Sequence, residues 1–241
     1  MGSVVDLGLP PVETYSPAIK NLLDLEEALL LIKSTFEDNL KKDVGLTRVS
    51  APLFLNKESG FNDNLNGVEK PATFHPRDYP DLHLEVPHSL AKWKRWALHY
   101  YDVPVGRGIV TDFRGIRADD DIDYTHSLYV DQWDWEKVIS DDDRNVDTLK
   151  STVSKIYAAV VETERAVCKR FGLEPILPAE LHFASTDEML KTHPDASPKE
   201  RENILCEKYG AVFLMGIGGN KADGTLRHDG RAPDYDDWIT E

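Results

Sequence analysis

Cysteine is scarce in this chain: 241 residues hold two, Cys168 and Cys206, and neither stands in a CxxC pair. They read as ordinary thiols and fit a reducing compartment. Basic residues are also short, 28 against 43 acidic ones for a net charge of −15. That argues against a general nucleic-acid binder, which needs a basic footprint. It leaves room for a small anionic ligand in a local basic pocket. Long apolar runs are missing; none approaches the roughly 18 residues of a membrane-spanning helix. The first residues have no basic region followed by an apolar core, so no secretory signal is read. Asp6 stands where a myristoylation site wants Ser or Thr. The cytoplasm is the simplest location. There is no GxSxG, and His75, His88, His126 and His228 form no HxxxH pair. Gly216-Ile217-Gly218-Gly219 lacks the GK[ST] ending and the GxGxxG spacing, so it reads as a tight turn.

What is present is periodicity with clear stops. Hydrophobic residues are 41% of the chain, normal for a globular protein. Residues 1–16 carry Pro10 and Pro11 and read as an arm. Ser16-Pro17 offers an N-cap and a first-turn proline. Leu22, Leu25, Leu29, Ile32 and Phe36 then mark a long amphipathic helix, ended by Gly45. Residues 46–50 read as a strand continued by 51–54, residues 56–69 as a loop, and 83–87 as a short strand. Ser89 caps a predicted helix to about Tyr101, with Trp93, Trp96, Ala97 and Tyr100 as its apolar stripe. Residues 108–117 and 126–136 are strands, and the acidic stretch 118–124 makes them a long hairpin. Asp147 caps a helix to Phe171, stopped by Gly172. A strand at 181–184, a short helix at 186–191, a helix from Ser197-Pro198 to Gly210 and an apolar strand at 211–217 follow. Regular βαβ alternation is absent. The pattern predicts an α+β fold, a mostly antiparallel sheet flanked by helices.

Residues 129–136 read YVDQWDWE. In a strand, Val130, Gln132 and Asp134 share one face, and Tyr129, Asp131, Trp133 and Trp135 the other. An amide beside a carboxylate suits a small zwitterion. An edge strand kept soluble by acids suits the segment equally. Lys92, Lys94 and Arg95 near a helix start can hold a carboxylate or phosphate, or form a solvated basic face. Arg114 and Arg117 end a strand and can fork onto an anion, or pair with residues 119–121. Arg231, Asp234, Asp236 and Asp237 form a dense acid–base cluster suited to Mg²⁺, to an ammonium, or to solvent.

Five segments carry a resemblance. They are residues 85–95 (EVPHSLAKWKR), 126–136 (HSLYVDQWDWE), 149–153 (LKSTV), 211–219 (AVFLMGIGG) and 231–238 (RAPDYDDW). In this order they closely resemble the ammonia-dependent asparagine synthetase (aspartate–ammonia ligase) family, over about residues 18–238. That family is similar to the catalytic core of class II aminoacyl-tRNA synthetases. Gly45-Leu46-x-x-Val49-x-x-Pro52-Leu53-Phe54 looks like motif 1 of that class, and Arg117-Ala118-Asp119 like motif 2. No match to motif 3 is found. The resemblance therefore implies an N-terminal arm at 1–17, a class II synthetase-like domain from 18 to 241, and truncation before motif 3.

The resemblance also implies a function. ATP activates the β-carboxylate of L-aspartate as an aspartyl adenylate, and free ammonia converts it to L-asparagine. Arg117 would contact the α-phosphate. Ser89 and Lys94 would lie around the substrate carboxylates, with Arg231 alongside. Asp63, Gln132 and Asp134 would surround the amino group and the reacting end. Asp236 would hold or deprotonate ammonium, and Ser127 and Asp131 would face the nucleotide. Mg²⁺ is expected, its main ligand lying in the missing part. A homodimer through motif 1 is expected, with no nucleic acid and no membrane as partner. The alternative is a truncated, non-catalytic dimerising module that binds aspartate or asparagine.

Overall fold

The computed structural model describes residues 16–62, 69–119, 122, 126–218 and 228. These fall into two compact units, one of residues 1–26 and 46–138, the other of residues 27–45 and 139–241.

The predicted first helix forms as α1 (Leu22–Asn39), followed by a π-helical turn at Leu40–Val44. Gly45 stops it in the left-handed conformation that only glycine adopts cheaply. Its start differs from expectation. The Asn21 side chain, not Ser16, accepts from the backbone N–H groups of Leu23 and Asp24. Its apolar stripe is also more open than expected: Ala28 and Phe36 are buried, whereas Leu22, Leu25 and Leu29 are exposed.

The first unit is organised by a hairpin. Strands β5 (Gly108–Ile116) and β6 (Tyr129–Lys137) pair antiparallel over nine residues, from Gly108 opposite Lys137 to Ile116 opposite Tyr129. Short β1 (Leu46–Arg48) lies parallel to β5 on its other edge. Residues 51–54 do not extend β1. β2 (Leu55–Asn56) instead pairs with β4 (Leu84–Glu85), and β3 (Thr73–Phe74) pairs with β4 as well, both antiparallel. Helix α2 (Ala91–Tyr100) packs on the hairpin. Leu55, Leu90, Trp93, Ala97, Ile109 and Phe113 make the core between them. Trp96 and Tyr100, expected on the buried stripe, are exposed; they stack on each other at 4.7 Å, and Phe61 covers Trp96.

In the second unit, α3 (Val146–Phe171) is capped by Asn145, which accepts from the N–H of Thr148, rather than by Asp147. Gly172 ends it as predicted. Strands β7 (His182–Ser185) and β8 (Val212–Met215) pair in parallel. Between them come α4 (Thr186–Thr192) and α5 (Pro198–Tyr209). Both begin in reciprocal capping boxes, Ser185 with Glu188 and Ser197 with Glu200. Gly216 turns the chain after β8 at a φ of +79°, as the glycine run implied. Three of the five described strand pairings are antiparallel.

Candidate active site

The hairpin register decides which predicted residues share a surface. Directly opposed residues of an antiparallel pair point to the same side. One face therefore carries Ile109 with Glu136, Thr111 with Asp134, Phe113 with Gln132, and Gly115 with Val130. Arg117 extends that row: its backbone N–H donates to Leu128 at 2.9 Å. Arg117, Gln132 and Asp134 thus stand along one face, the face on which α2 packs. Gly115 lies between Arg117 and Phe113 on that face and could carry no side chain. A Cβ there would fall 2.5 Å from the Phe113 Cζ and 2.9 Å from the Pro87 carbonyl oxygen.

Helix α2 delivers Lys94 to the same surface. Its side chain is buried, and Nζ donates to Asp134 Oδ1 and, at 3.2 Å, to the Trp135 carbonyl. Glu136 Oε2 lies 3.6 Å from the same ammonium, and Glu136 Oε1 lies 3.8 Å from Arg95 Nε. Burial pushes the Glu136 carboxyl above its ordinary range; Lys94 and Arg95 oppose that rise, and Asp134 adds to it. The sequence reading missed Glu136, although it stands two residues beyond Asp134 in the same alternation.

Ser89 is half-buried just ahead of α2, its Oγ accepting from the N–H of Ala91 at 3.2 Å. Ser127 accepts from the N–H of Tyr129 at 3.3 Å, at the same end of the hairpin as Arg117. Asp131 is exposed on the other face, opposite Arg114, and so does not join Gln132 and Asp134. Asp119 accepts from the backbone N–H of Lys70 at 2.7 Å. Asp63, Arg231 and Asp236 lie outside the described residues. Among the described residues no group of three or more His, Cys, Asp or Glu side chains comes together to hold a metal ion. No helix is long and apolar enough to cross a membrane among them.

The sequence profile of the aspartate–ammonia ligase family matches residues 23–240. The chain belongs to the aspartate–ammonia ligase family. It is 48% identical over 225 residues to the aspartate–ammonia ligase of Clostridium perfringens, covering 93% of this chain and 66% of that protein. It is 50% identical over 226 residues to that of Bacteroides fragilis, covering 92% and 65%. This family member thus spans about two-thirds of the length of those relatives. Its fold is that of class II aminoacyl-tRNA synthetases. It superposes on asparaginyl-tRNA synthetase from Pyrococcus horikoshii complexed with asparaginyl-adenylate with a TM-score of 0.56. Identity there is 14%, over 80% of this chain and 44% of that one. The Entamoeba histolytica asparaginyl-tRNA synthetase complex gives 0.54 at 11% identity, over 88% and 50%.

Proposed function

We propose that this chain takes part in ATP-dependent synthesis of L-asparagine from L-aspartate and ammonia, through an aspartyl adenylate, with release of AMP and pyrophosphate. The observation that carries the reading is the buried Lys94 beside Asp134, with Gln132 on the same face. It is a cation, an anion and an amide on one surface. A zwitterion with a second carboxylate needs that set: an anion for its ammonium, a cation for a carboxylate, and a group that both donates and accepts. Relatives named for this reaction, about half identical over most of the chain, support the same reading.

In the first step a β-carboxylate oxygen of aspartate attacks the α-phosphorus of ATP, and pyrophosphate leaves. Two anions must approach, so a cation between them lowers the barrier. Arg117 is assigned to that place, because a guanidinium can fork onto both oxygens. Its backbone sits about 20 Å from that of Asp134, six residues at about 3.3 Å each along β6. The space over Gly115 is already taken by the Phe113 ring and the Pro87 carbonyl, so the bound molecule has to extend towards the guanidinium. Ser127 lies at that end and is assigned to the nucleotide. In the second step ammonia attacks the acyl carbon, AMP leaves, and the surplus proton passes to a base. Asp236 is the residue assigned to hold the ammonium. Asp63 and Arg231 complete the aspartate contacts. The described residues do not fit a resident Mg²⁺, and no step is assigned to one. Residues 18–241 are taken as the catalytic domain, after an arm at 1–17, acting in the cytoplasm.

A homodimer is part of the proposal. Leu22, Leu23 and Leu30 of α1 are 77%, 76% and 70% exposed, and Leu53 and Phe54 of the motif 1 segment are exposed too. Large apolar side chains left open to solvent suit an interaction site. Light scattering at micromolar concentration should give twice the chain mass, and Leu22→Glu with Leu30→Glu should halve it. For the activity, the test is aspartate-dependent exchange of pyrophosphate into ATP, followed by asparagine formation with ammonia and without tRNA. Failure of aspartate to stimulate exchange in the wild-type chain would overturn the reading.

A further inference from the structure

Glu136 has no role in the reaction as assigned, yet it stands among residues that do. Alternation along β6 puts it on the face of Gln132 and Asp134, two residues beyond Asp134. Across the hairpin it opposes Ile109, which is 1% exposed. Its two oxygens divide between consecutive residues of α2. Oε2 lies 3.6 Å from Lys94 Nζ, and Oε1 lies 3.8 Å from Arg95 Nε. Glu136 thus joins strand to helix by charge.

A second acid of the same unit gives the contrast. Glu85, 6% exposed, accepts from the side-chain amide of Asn62 at 3.1 Å, and that partner is neutral and itself buried. Glu136 instead faces two cations. Burial raises its carboxyl above the ordinary range, against the pull of Lys94 and Arg95. A glutamine of the same shape would escape that penalty.

The surroundings of Lys94 show what the charge can do. An ammonium has three donors. One goes to Asp134 and one, at 3.2 Å, to the Trp135 carbonyl. Glu136, at 3.6 Å, is beyond hydrogen-bond length. It attracts the ammonium and takes none of the three donors. Under the function proposed above, Asp134 turns to the ammonium of aspartate and Lys94 to a carboxylate. Lys94 then needs another anion of the protein to hold it over the site, and Glu136 is in place.

We infer that Glu136 is a positioning residue: set against Lys94 and Arg95, it holds the Lys94 ammonium over the site while Asp134 is given up to the ammonium of aspartate. This rests on the proposed function. It assigns Glu136 no contact with substrate.

The test compares Glu136→Gln and Glu136→Asp in the full chain. Glutamine keeps the length and removes the charge. Aspartate keeps the charge a little further back, and attraction falls only gradually with distance. Glu136→Gln should raise the aspartate KM at least tenfold and leave the ATP KM within about twofold. Its melting temperature at neutral pH should be no lower than that of wild type. Glu136→Asp should keep the aspartate KM within about threefold of wild type. A merely structural role would instead lower the melting temperature of Glu136→Gln and move both KM values together, and that result would overturn the inference. So would a Glu136→Asp variant as impaired as Glu136→Gln, because charge would then not be what acts. Lysine-selective NMR separates this from failure of the functional reading. The Lys94 ammonium signal, identified by its loss in Lys94→Met, should shift in Glu136→Gln with no aspartate present. If it does not move, Glu136 does not hold Lys94 and the inference fails. If it moves while the wild-type chain ignores aspartate, the contact stands and the functional reading fails.

Discussion

The β5–β6 and β7–β8 pairs of this molecule are built differently. The hairpin of β5 and β6 runs for nine paired residues, and Ile109, Val110, Thr111 and Phe113 inside it are almost wholly buried. The parallel pair of β7 and β8 runs for four, and Val212, Phe213, Leu214 and Met215 are each half-buried. Local sequence specifies the first: a long alternating pattern meets its partner across one loop. The second joins strands separated by two helices, and its apolar run is only partly covered. Of the charged side chains assigned to the reaction, Lys94 and Asp134 stand on the helix and the long hairpin, and Arg117 directly after β5. A rigid, packed sheet suits that task, because an ammonium held against two carboxylates needs fixed geometry.

Core truncation should break the comparison most sharply. Phe113→Ala removes a fully buried ring and should cost about 3–5 kcal/mol, whereas Phe213→Ala, half-buried, should cost roughly half as much. Urea unfolding of the two variants measures the difference. Equal losses would mean that the two pairs are packed alike.

Arg117→Lys should leave both regions folded and strike the chemistry alone. A lysine is a point charge and cannot supply the fork. The barrier to adenylate formation should rise by about 3 kcal/mol, more than a hundredfold in rate. Pyrophosphate exchange reads it, with circular dichroism as the control for folding. Near-normal exchange would remove Arg117 from the assigned role.

The smallest effects concern pH, and the two regions should respond with opposite sign. Burial raises the Glu136 carboxyl on the hairpin above its ordinary 4.5. Its contribution is therefore present at low pH and lost as pH rises through the elevated value. Hydrogen bonds from the backbone and side chain of Ser197 lower the Glu200 carboxyl at the start of α5 below the same 4.5. Its contribution is present above that value and lost as pH falls through the lowered one. The stability of wild type relative to Glu136→Gln should fall as pH rises above about 4.5. Relative to Glu200→Gln it should fall as pH drops below that value. Chemical denaturation between pH 3 and 8, roughly the range these carboxyls span, gives both curves. Parallel curves would contradict the two environments.

Much of this was legible in the sequence, for physical reasons. Period-two alternation and a single polar loop announced the hairpin to within a few residues. Gly45, Gly172 and Gly210 announced helix ends, because each takes a positive φ. Caps were less legible. Ser197 was found, but Asn145 and Asn21 displaced Asp147 and Ser16, since several polar residues near a helix start compete for the same N–H groups. The outward turn of Trp96 and Tyr100 was invisible, because aromatic rings can bury one another at a surface as well as in a core. The resemblance pointed to Lys94 and Asp134 one by one. Their contact depends on how α2 lies across β6, which no local pattern encodes. The same is true of Glu85 and Asn62, a buried acid and its amide partner that look like ordinary polar residues in the sequence.

The ion pair between Lys94 and Asp134 has a consequence for traffic into the site. Before anything binds, each charge already has its opposite. Under the proposed function an incoming zwitterion would have to part them, lending its ammonium to Asp134 and a carboxylate to Lys94. Two internal partners are traded for two external ones, and the protein's own charge in the site stays where it was. Salt screens the old pair and the new ones to a similar degree. Affinity for aspartate should thus depend only weakly on ionic strength, although the ligand is an anion and the protein carries fifteen surplus negative charges. On that reading the pair is an internal stand-in for the ligand; in any case it keeps the buried Lys94 ammonium from standing alone.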